Sequence, residues 1–172
     1  MLRDGAYAAD LLAIRQAFCH ENAPYSPHDF TASQAVSPRP IKVNLPELIT
    51  IMDTTVDCFY HHRRRLAADL GGSVNREIRE FVDAGCRHIQ VDEPLFARHS
   101  DDALAFGMDG LERCFRKVPA GVTRTAHICC GYPNHLDDED YKKLMLPVMT
   151  GWPGLWMSWI LMRCRSMTRI VP

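Results

Sequence analysis

His127 and Cys129 stand two residues apart in Thr123-Arg124-Thr125-Ala126-His127-Ile128-Cys129-Cys130-Gly131, a run rich in β-prone residues. In a strand, successive side chains alternate between faces, so Thr125, His127 and Cys129 share one face while Arg124, Ala126 and Ile128 share the other. An imidazole beside a thiolate is a donor pair suited to a borderline-soft cation such as zinc. A closed zinc site needs further ligands, and His-x-Cys alone also fits a buried strand end with a satisfied histidine and an inert thiol. Cys130 projects from the face opposite Cys129 and is not counted as a ligand.

Asp92 and Glu93 close a second alternating run, His88-Ile89-Gln90-Val91-Asp92-Glu93-Pro94. Ile89, Val91 and Glu93 fall on one face, Gln90 and Asp92 on the other, so a strand delivers carboxylates at its C-terminal end just before a proline. An aspartate at such a point either lines a site or caps the helix that follows.

The bulk composition frames what can position these groups. At 172 residues, 47% hydrophobic and 24% charged, the chain is long enough for one domain with a real core. A formal net charge of -1 gives no electrostatic reason to expect nucleic acid or a membrane surface as partner. The 7 cysteines are odd in number and scattered, with no signal peptide ahead of them, which reads as free thiols in a reducing compartment, the cytoplasm.

The pattern around the two polar runs alternates between helix and strand. Ala8 to Phe18 carries Leu11, Leu12, Ile14 and Phe18 at helical spacing, and the polar residues around Pro24 and Pro27 predict a loop. Ile41, Val43 and Leu45 alternate with Lys42 and Asn44 ahead of Pro46, which predicts a strand. Leu48 to Leu70 is helix-compatible, and its His61-His62-Arg63-Arg64-Arg65 cluster reads as a solvated helix face. Gly71-Gly72 predicts a break, with Ser73 capping a new helix whose stripe is Val74, Ile78, Phe81 and Val82 and whose stop is Gly85. Leu104, Met108, Leu111 and Phe115 predict a further helix before the His127 strand. Strand, helix, strand, helix, strand at a period of roughly 35 to 50 residues is the order of parallel βα units. Such folds build their sites at the C-terminal ends of strands, which gathers Asn44, Asp92, His127 and Cys129 about one pocket.

Taken in order, Ile41-Lys42-Val43-Asn44-Leu45-Pro46, then Ala84-Gly85-Cys86-Arg87-His88-Ile89-Gln90-Val91-Asp92-Glu93-Pro94, then His127-Ile128-Cys129-Cys130-Gly131 resemble the catalytic domain of the cobalamin-independent methionine synthase family. The wider group is the methionine synthase/uroporphyrinogen decarboxylase-like barrel superfamily, and the resemblance covers about residues 39 to 143. It implies an α/β fold, a partial (β/α)8 TIM barrel of about three recognisable βα units. It further implies a catalytic zinc ion that binds the thiol of homocysteine, with 5-methyltetrahydrofolate as methyl donor and methionine as product. By the same resemblance His127 and Cys129 match the first two zinc ligands. Asp92 matches the acidic residue that holds the substrate's ammonium, with Glu93 as its neighbour in substrate binding.

The chain departs from the family pattern in its zinc shell and in its tail. It offers no counterpart for the family's zinc-binding glutamate on the next strand, and for the later cysteine ligand only Cys164 in an unrelated context. Residues 144 to 162 carry no charge and precede Arg163, Arg165 and Arg169. Their length approaches a membrane span, but Pro147, Gly151, Pro153 and Gly154 argue against one spanning helix. A truncated or misjoined reading of a longer gene is therefore expected ahead of an anchor. The chain divides into an unassigned helix-plus-loop segment (1–36), the partial barrel (37–143) and a divergent apolar tail (144–172). Two alternatives to methionine synthesis stand beside it: a catalytically inactive barrel fragment that associates with itself through uncovered edges, and a zinc-dependent thiol alkyltransferase of the epoxyalkane:coenzyme M transferase type.

Overall fold

The computed structural model of the chain describes residues 10–18, 27–96 and 99–128. Cys129, Cys130, Cys164 and the 144–172 tail lie outside the described residues. In chain order the elements are β1 (Leu12–Ile14), α1 (Pro27–Val36), β2 (Lys42–Pro46), α2 (Leu48–Asp53), β3 (Thr55–Asp57), α3 (Arg63–Asp83), β4 (His88–Asp92), α4 (Ser100–Asp102), a π turn (Ala103–Gly107), α5 (Met108–Cys114) and β5 (Thr123–His127).

A parallel sheet in the order β2-β4-β5 forms the centre, and β1 and β3 make a separate parallel pair. This is the α/β arrangement of a partial (β/α)8 barrel, with helices in each crossover of the main sheet. Ile89 and Val91 of the middle strand are fully buried and join Leu70, Val74, Ile78 and Leu111 in one core. Gln90, on the other face of β4, is buried as well, because the middle strand of a parallel sheet is covered on both sides. The register sets Lys42, His88 and Thr123 in one row, Asn44, Gln90 and Thr125 in another, and Pro46, Asp92 and His127 in the row at the strands' C-terminal ends.

The long helix α3 begins at the His62 cap, whose Nδ1 accepts from Arg65 N at 3.3 Å. It ends where Cys86 N donates to Phe81 O (2.9 Å) and Gly85 N to Val82 O (3.0 Å), a closure that needs the left-handed Gly85 (φ 102°). The Arg63 to Arg65 cluster is exposed, with Arg63 paired to Asp102 at 2.5 Å.

Several local expectations are corrected. Residues 12–14, read as part of a helix, are β1, paired in parallel with β3; Cys58 N donates to Ile14 O at 2.9 Å. The leucine spacing there is not a buried stripe, since Leu12 is 79% exposed and only Ile14 enters the core. The loop predicted around Pro27 is α1, with proline at the first helical position, where its missing N–H has no helical partner to lose. Leu48 to Leu70 divides into α2, β3 and the start of α3. The predicted break at Gly71-Gly72 is absent because α3 runs through both glycines. A Cβ on Gly71 would stand 3.1 Å from Arg113 Cδ and 3.5 Å from Gly110 O, so this glycine serves the close approach of α3 to α5. In the following helical segment Leu104 is 47% exposed; the π turn shifts the helical repeat and turns Ala103, Phe106 and Gly107 inward instead.

Behind the sheet, the residues that follow Pro46 and Asp92 are Glu47 and Glu93, both fully buried. Glu47 N donates to Asp92 O (3.0 Å) and Glu93 N to His127 O (2.8 Å), carrying the ladder one residue further. The Glu93 carboxylate accepts from Thr50 N (3.3 Å), Thr50 Oγ1 (3.1 Å) and Leu95 N (2.8 Å). Glu47 caps α2, its Oε2 accepting from Ile49 N at 3.1 Å, while its Oε1 is buried with no hydrogen-bond partner as an acceptor. Burial above all, and then the Glu93 carboxylate, push the Glu47 carboxyl up to about 11. The proton that Glu47 keeps makes its carboxyl a donor, and a hydrogen bond with the Glu93 side chain is part of what raises it.

Glu47→Gln keeps the acceptor for Ile49 and makes the donor toward Glu93 permanent. Folded Glu47 holds a proton that the unfolded chain releases near 4.5, so the parent's stability falls as pH climbs from there toward about 11. The variant is expected to be the more stable protein at about pH 8, by an amount on the order of a few kcal/mol, with a flatter pH profile. Glu93→Gln leaves one acceptor oxygen for three donors and is expected to cost about 2–3 kcal/mol. Urea unfolding across mildly acidic to mildly alkaline pH checks both; a destabilised Glu47→Gln would contradict the shared proton. Gly110→Ala, whose new Cβ would overlap Leu48 Cδ2, is expected to lose about 1–3 kcal/mol in the same measurement.

Candidate functional site

The last row of the sheet brings Asp92 and His127 together. Neighbours in a parallel ladder project from the same face, and His127 Nδ1 lies 3.3 Å from Asp92 Oδ1. Both side chains are reachable from solvent, 35% exposed for His127 and 34% for Asp92. Gln90, two residues earlier on the same face, donates Nε2 to Asp92 Oδ1 at 2.6 Å and accepts from Lys42 Nζ at 2.5 Å. Asp92 Oδ2 and His127 Nε2 carry no hydrogen bond among the described residues. The strand ends therefore present one open carboxylate oxygen and one open imidazole nitrogen side by side.

That pairing can do two things chemically. A carboxylate with a free oxygen accepts from an ammonium, and an imidazole whose Nδ1 is held by a carboxylate offers Nε2 to a metal, the usual outer support of a metal-bound histidine. Among the described residues no group of three or more His, Cys, Asp or Glu gathers to hold a metal ion. The donor set thus fits zinc as one ligand with its supporting carboxylate. Cys129, the expected second ligand, lies outside the described residues.

Glu93, expected beside Asp92 in substrate binding, projects from the opposite face into the sealed pair with Glu47. Asn44 sits one row back, exposed and in register with Gln90. Cys114 belongs to the sealed side too, where burial, with Glu47 and Glu93 nearby, pushes its thiol well above the ordinary range and away from thiolate chemistry. A cavity of about 620 Å³ lies between α5 and the start of β5, lined by Arg113, Arg116, Lys117 and Arg124 among others, and Arg124 projects from the face opposite His127. Lys42, Gln90 and Glu47 carry the supporting contacts without having been singled out from the sequence. Alternation places Lys42 and Gln90 on polar faces, but the register that lets them meet is a tertiary fact.

No helix among the described residues is long and apolar enough to cross a membrane. Cys58, Cys86 and Cys114 are free thiols.

Comparison with known proteins points to one group, although no family model matches the chain. A methionine synthase of Saccharolobus islandicus is 29% identical over 104 residues, 60% of this chain and 30% of the relative. One of Sulfolobus acidocaldarius is 30% identical over 97 residues, 56% of this chain and 28% of the relative. The chain therefore spans under a third of the length of these curated relatives. Among solved structures, a B12-independent methionine synthase of Shewanella sp. W3-18-1, in complex with selenomethionine, matches with a TM-score of 0.58 and 33% identity, over 62% of this chain and 30% of the other. A structure described as a putative vitamin-B12 independent methionine synthase of Listeria monocytogenes matches with a TM-score of 0.60 at 19% identity, over 68% of this chain and 40% of the other; at that identity the likeness is one of fold.

Proposed function

We propose that this chain, similar over part of its length to B12-independent methionine synthases, is a segment of such a barrel and serves zinc-dependent methyl transfer from 5-methyltetrahydrofolate to the thiol of homocysteine, giving methionine. The observation that carries the proposal is the contact of His127 with Asp92 at matched strand ends, with one open donor atom on each. His127 through Nε2 and Cys129 through its thiolate would hold the zinc. When bound, zinc lowers the pKa of a coordinated thiol below its free value of about 8.5. Asp92 has two tasks: Oδ1 orients the His127 ring, and Oδ2 receives the ammonium of the amino-acid substrate. One rigid carboxylate thereby fixes the distance between the amino group and the metal-facing nitrogen, which is how a site selects an α-amino acid carrying a thiol of the right reach. The barrel part is residues 37–143 and the setting is the cytoplasm.

A second reading is a barrel segment without turnover. It is favoured by the donor count, since His127 is the metal donor that the described strand ends supply and no fuller cluster accompanies it among the described residues. In that reading the backbone edges of β2 and β5 serve self-association. A coenzyme M-type alkyltransferase would use the same donors on another thiol.

Elemental analysis of the purified chain separates these readings. About one zinc per chain is expected in the parent and in Cys130→Ser, with loss of most of it in His127→Ala and Cys129→Ser. Asp92→Asn is expected to weaken zinc binding by about 10–100-fold through His127, and to weaken homocysteine binding in calorimetry as well. Folded parent protein with no zinc would favour the segment without turnover. Equal zinc loss in all three Cys and His variants would overturn the ligand assignment.

A further inference from the structure

The contacts Lys42–Gln90–Asp92–His127 form one line along the polar face of the sheet, at 2.5, 2.6 and 3.3 Å. Each end of that line has fixed polarity. A lysine ammonium only donates, and an ionised carboxylate only accepts. The amide between them has one way to satisfy both, carbonyl toward Lys42 and NH2 toward Asp92. Gln90 is buried, so an unsatisfied flip of its amide would leave Oε1 against the carboxylate at full cost. Gln90 Nε2, itself anchored by Lys42, holds the solvent-reachable Asp92 carboxylate with Oδ1 against His127 rather than turned into water, and because that oxygen only accepts, the His127 nitrogen that faces it must carry hydrogen. The tautomer of His127 follows from the network, with the proton on Nδ1 and the lone pair on Nε2.

We propose that Lys42, acting through Gln90 and Asp92, is a positioning residue that selects the Nδ1–H tautomer of His127 and so holds its Nε2 lone pair outward as a ligand for a Lewis acid. A free histidine side chain favours the opposite tautomer, with hydrogen on Nε2, so the line reverses an intrinsic preference. Lys42 and His127 lie on strands that do not touch each other, at opposite ends of their rows, with the middle strand as the link. This inference rests on the reading of His127 as a metal-facing residue but makes a statement about the metal-free chain.

The test is a long-range 1H–15N correlation spectrum of the imidazole rings in the 15N-labelled, metal-free full chain at mildly alkaline pH, with the His127 signals assigned by their loss in His127→Asn. The parent and Lys42→Arg are expected to show His127 as the Nδ1–H form. Lys42→Met and Gln90→Leu are expected to lose most of that population to the Nε2–H form, and Lys42→Met to weaken zinc binding by about 10-fold in competition with a chelator. Lys42 is exposed, so Lys42→Met tests the line even where a Gln90 variant fails to fold. An Nε2–H form in the parent, or an unchanged tautomer in Lys42→Met, overturns the inference. His127→Ala losing zinc while Lys42→Met keeps the tautomer would remove the positioning role and leave the metal reading standing. A tautomer that follows Lys42 in a chain that binds no zinc would do the reverse.

Discussion

A slip of one residue between β4 and its neighbours would abolish the site. Parallel register sets Pro46, Asp92 and His127 in one row, and side chains in such a row share a face. Shifted by one, β4 would offer Glu93 to His127 and turn Asp92 toward the core, where no partner waits. What prevents the slip is burial. Ile89 and Val91 are fully enclosed in the apolar core, and exchanging them for Gln90 and Asp92 would carry polar groups into that core, away from their hydrogen-bond partners, and take aliphatic ones out of it. The chemistry at the strand ends is therefore secured by side chains that take no part in it.

The same strand end gives two adjacent carboxylates opposite fates. Asp92 remains open, holds two donors through one oxygen and keeps the other oxygen available. Glu93, one residue on, is sealed and fully occupied by Thr50 and Leu95. A second sealed carboxylate at Glu47 would be intolerable as an anion, and it is kept neutral by burial and by Glu93 itself. The result is a lock between the end of β2, the start of α2 and the turn after β4. It sits directly behind Asp92, joined to it by the bond from Glu47 N to Asp92 O. Rigidity on the sealed side is what allows the open side to present a carboxylate in one orientation.

Much of this was legible in the sequence, for a physical reason: alternation in a strand with one buried face is a local signal. Ile41 to Pro46, His88 to Asp92 and the run ending at His127 announced three strands, and the faces assigned to Asp92 and His127 agree with their meeting. Where tertiary contact decides, the residues alone misled. β1 exists because β3 lies beside it, so its leucines imitate a helix. Gly71-Gly72 looks like a stop, but α3 runs through both and Gly71 relieves contact with α5. The π turn moved a helical face that strict spacing had assigned to Leu104. The Glu47–Glu93 pair was invisible because nothing in a sequence says that two glutamates separated by 46 positions will be buried side by side. The line from Lys42 to His127 was hidden in the same way, since cross-strand register is not a property of either strand.

The site and the sheet share one requirement. Among the described residues β5 has a neighbour on one side only, so its other edge offers unpaired backbone groups. Among the same residues His127 is likewise furnished on one side only, with Asp92 behind its Nδ1 and no hydrogen bond at Nε2. A barrel removes edges by laying another strand there. The chain, which spans under a third of the length of these curated relatives, brings His127 and Asp92 into contact and backs them with Gln90 and Lys42.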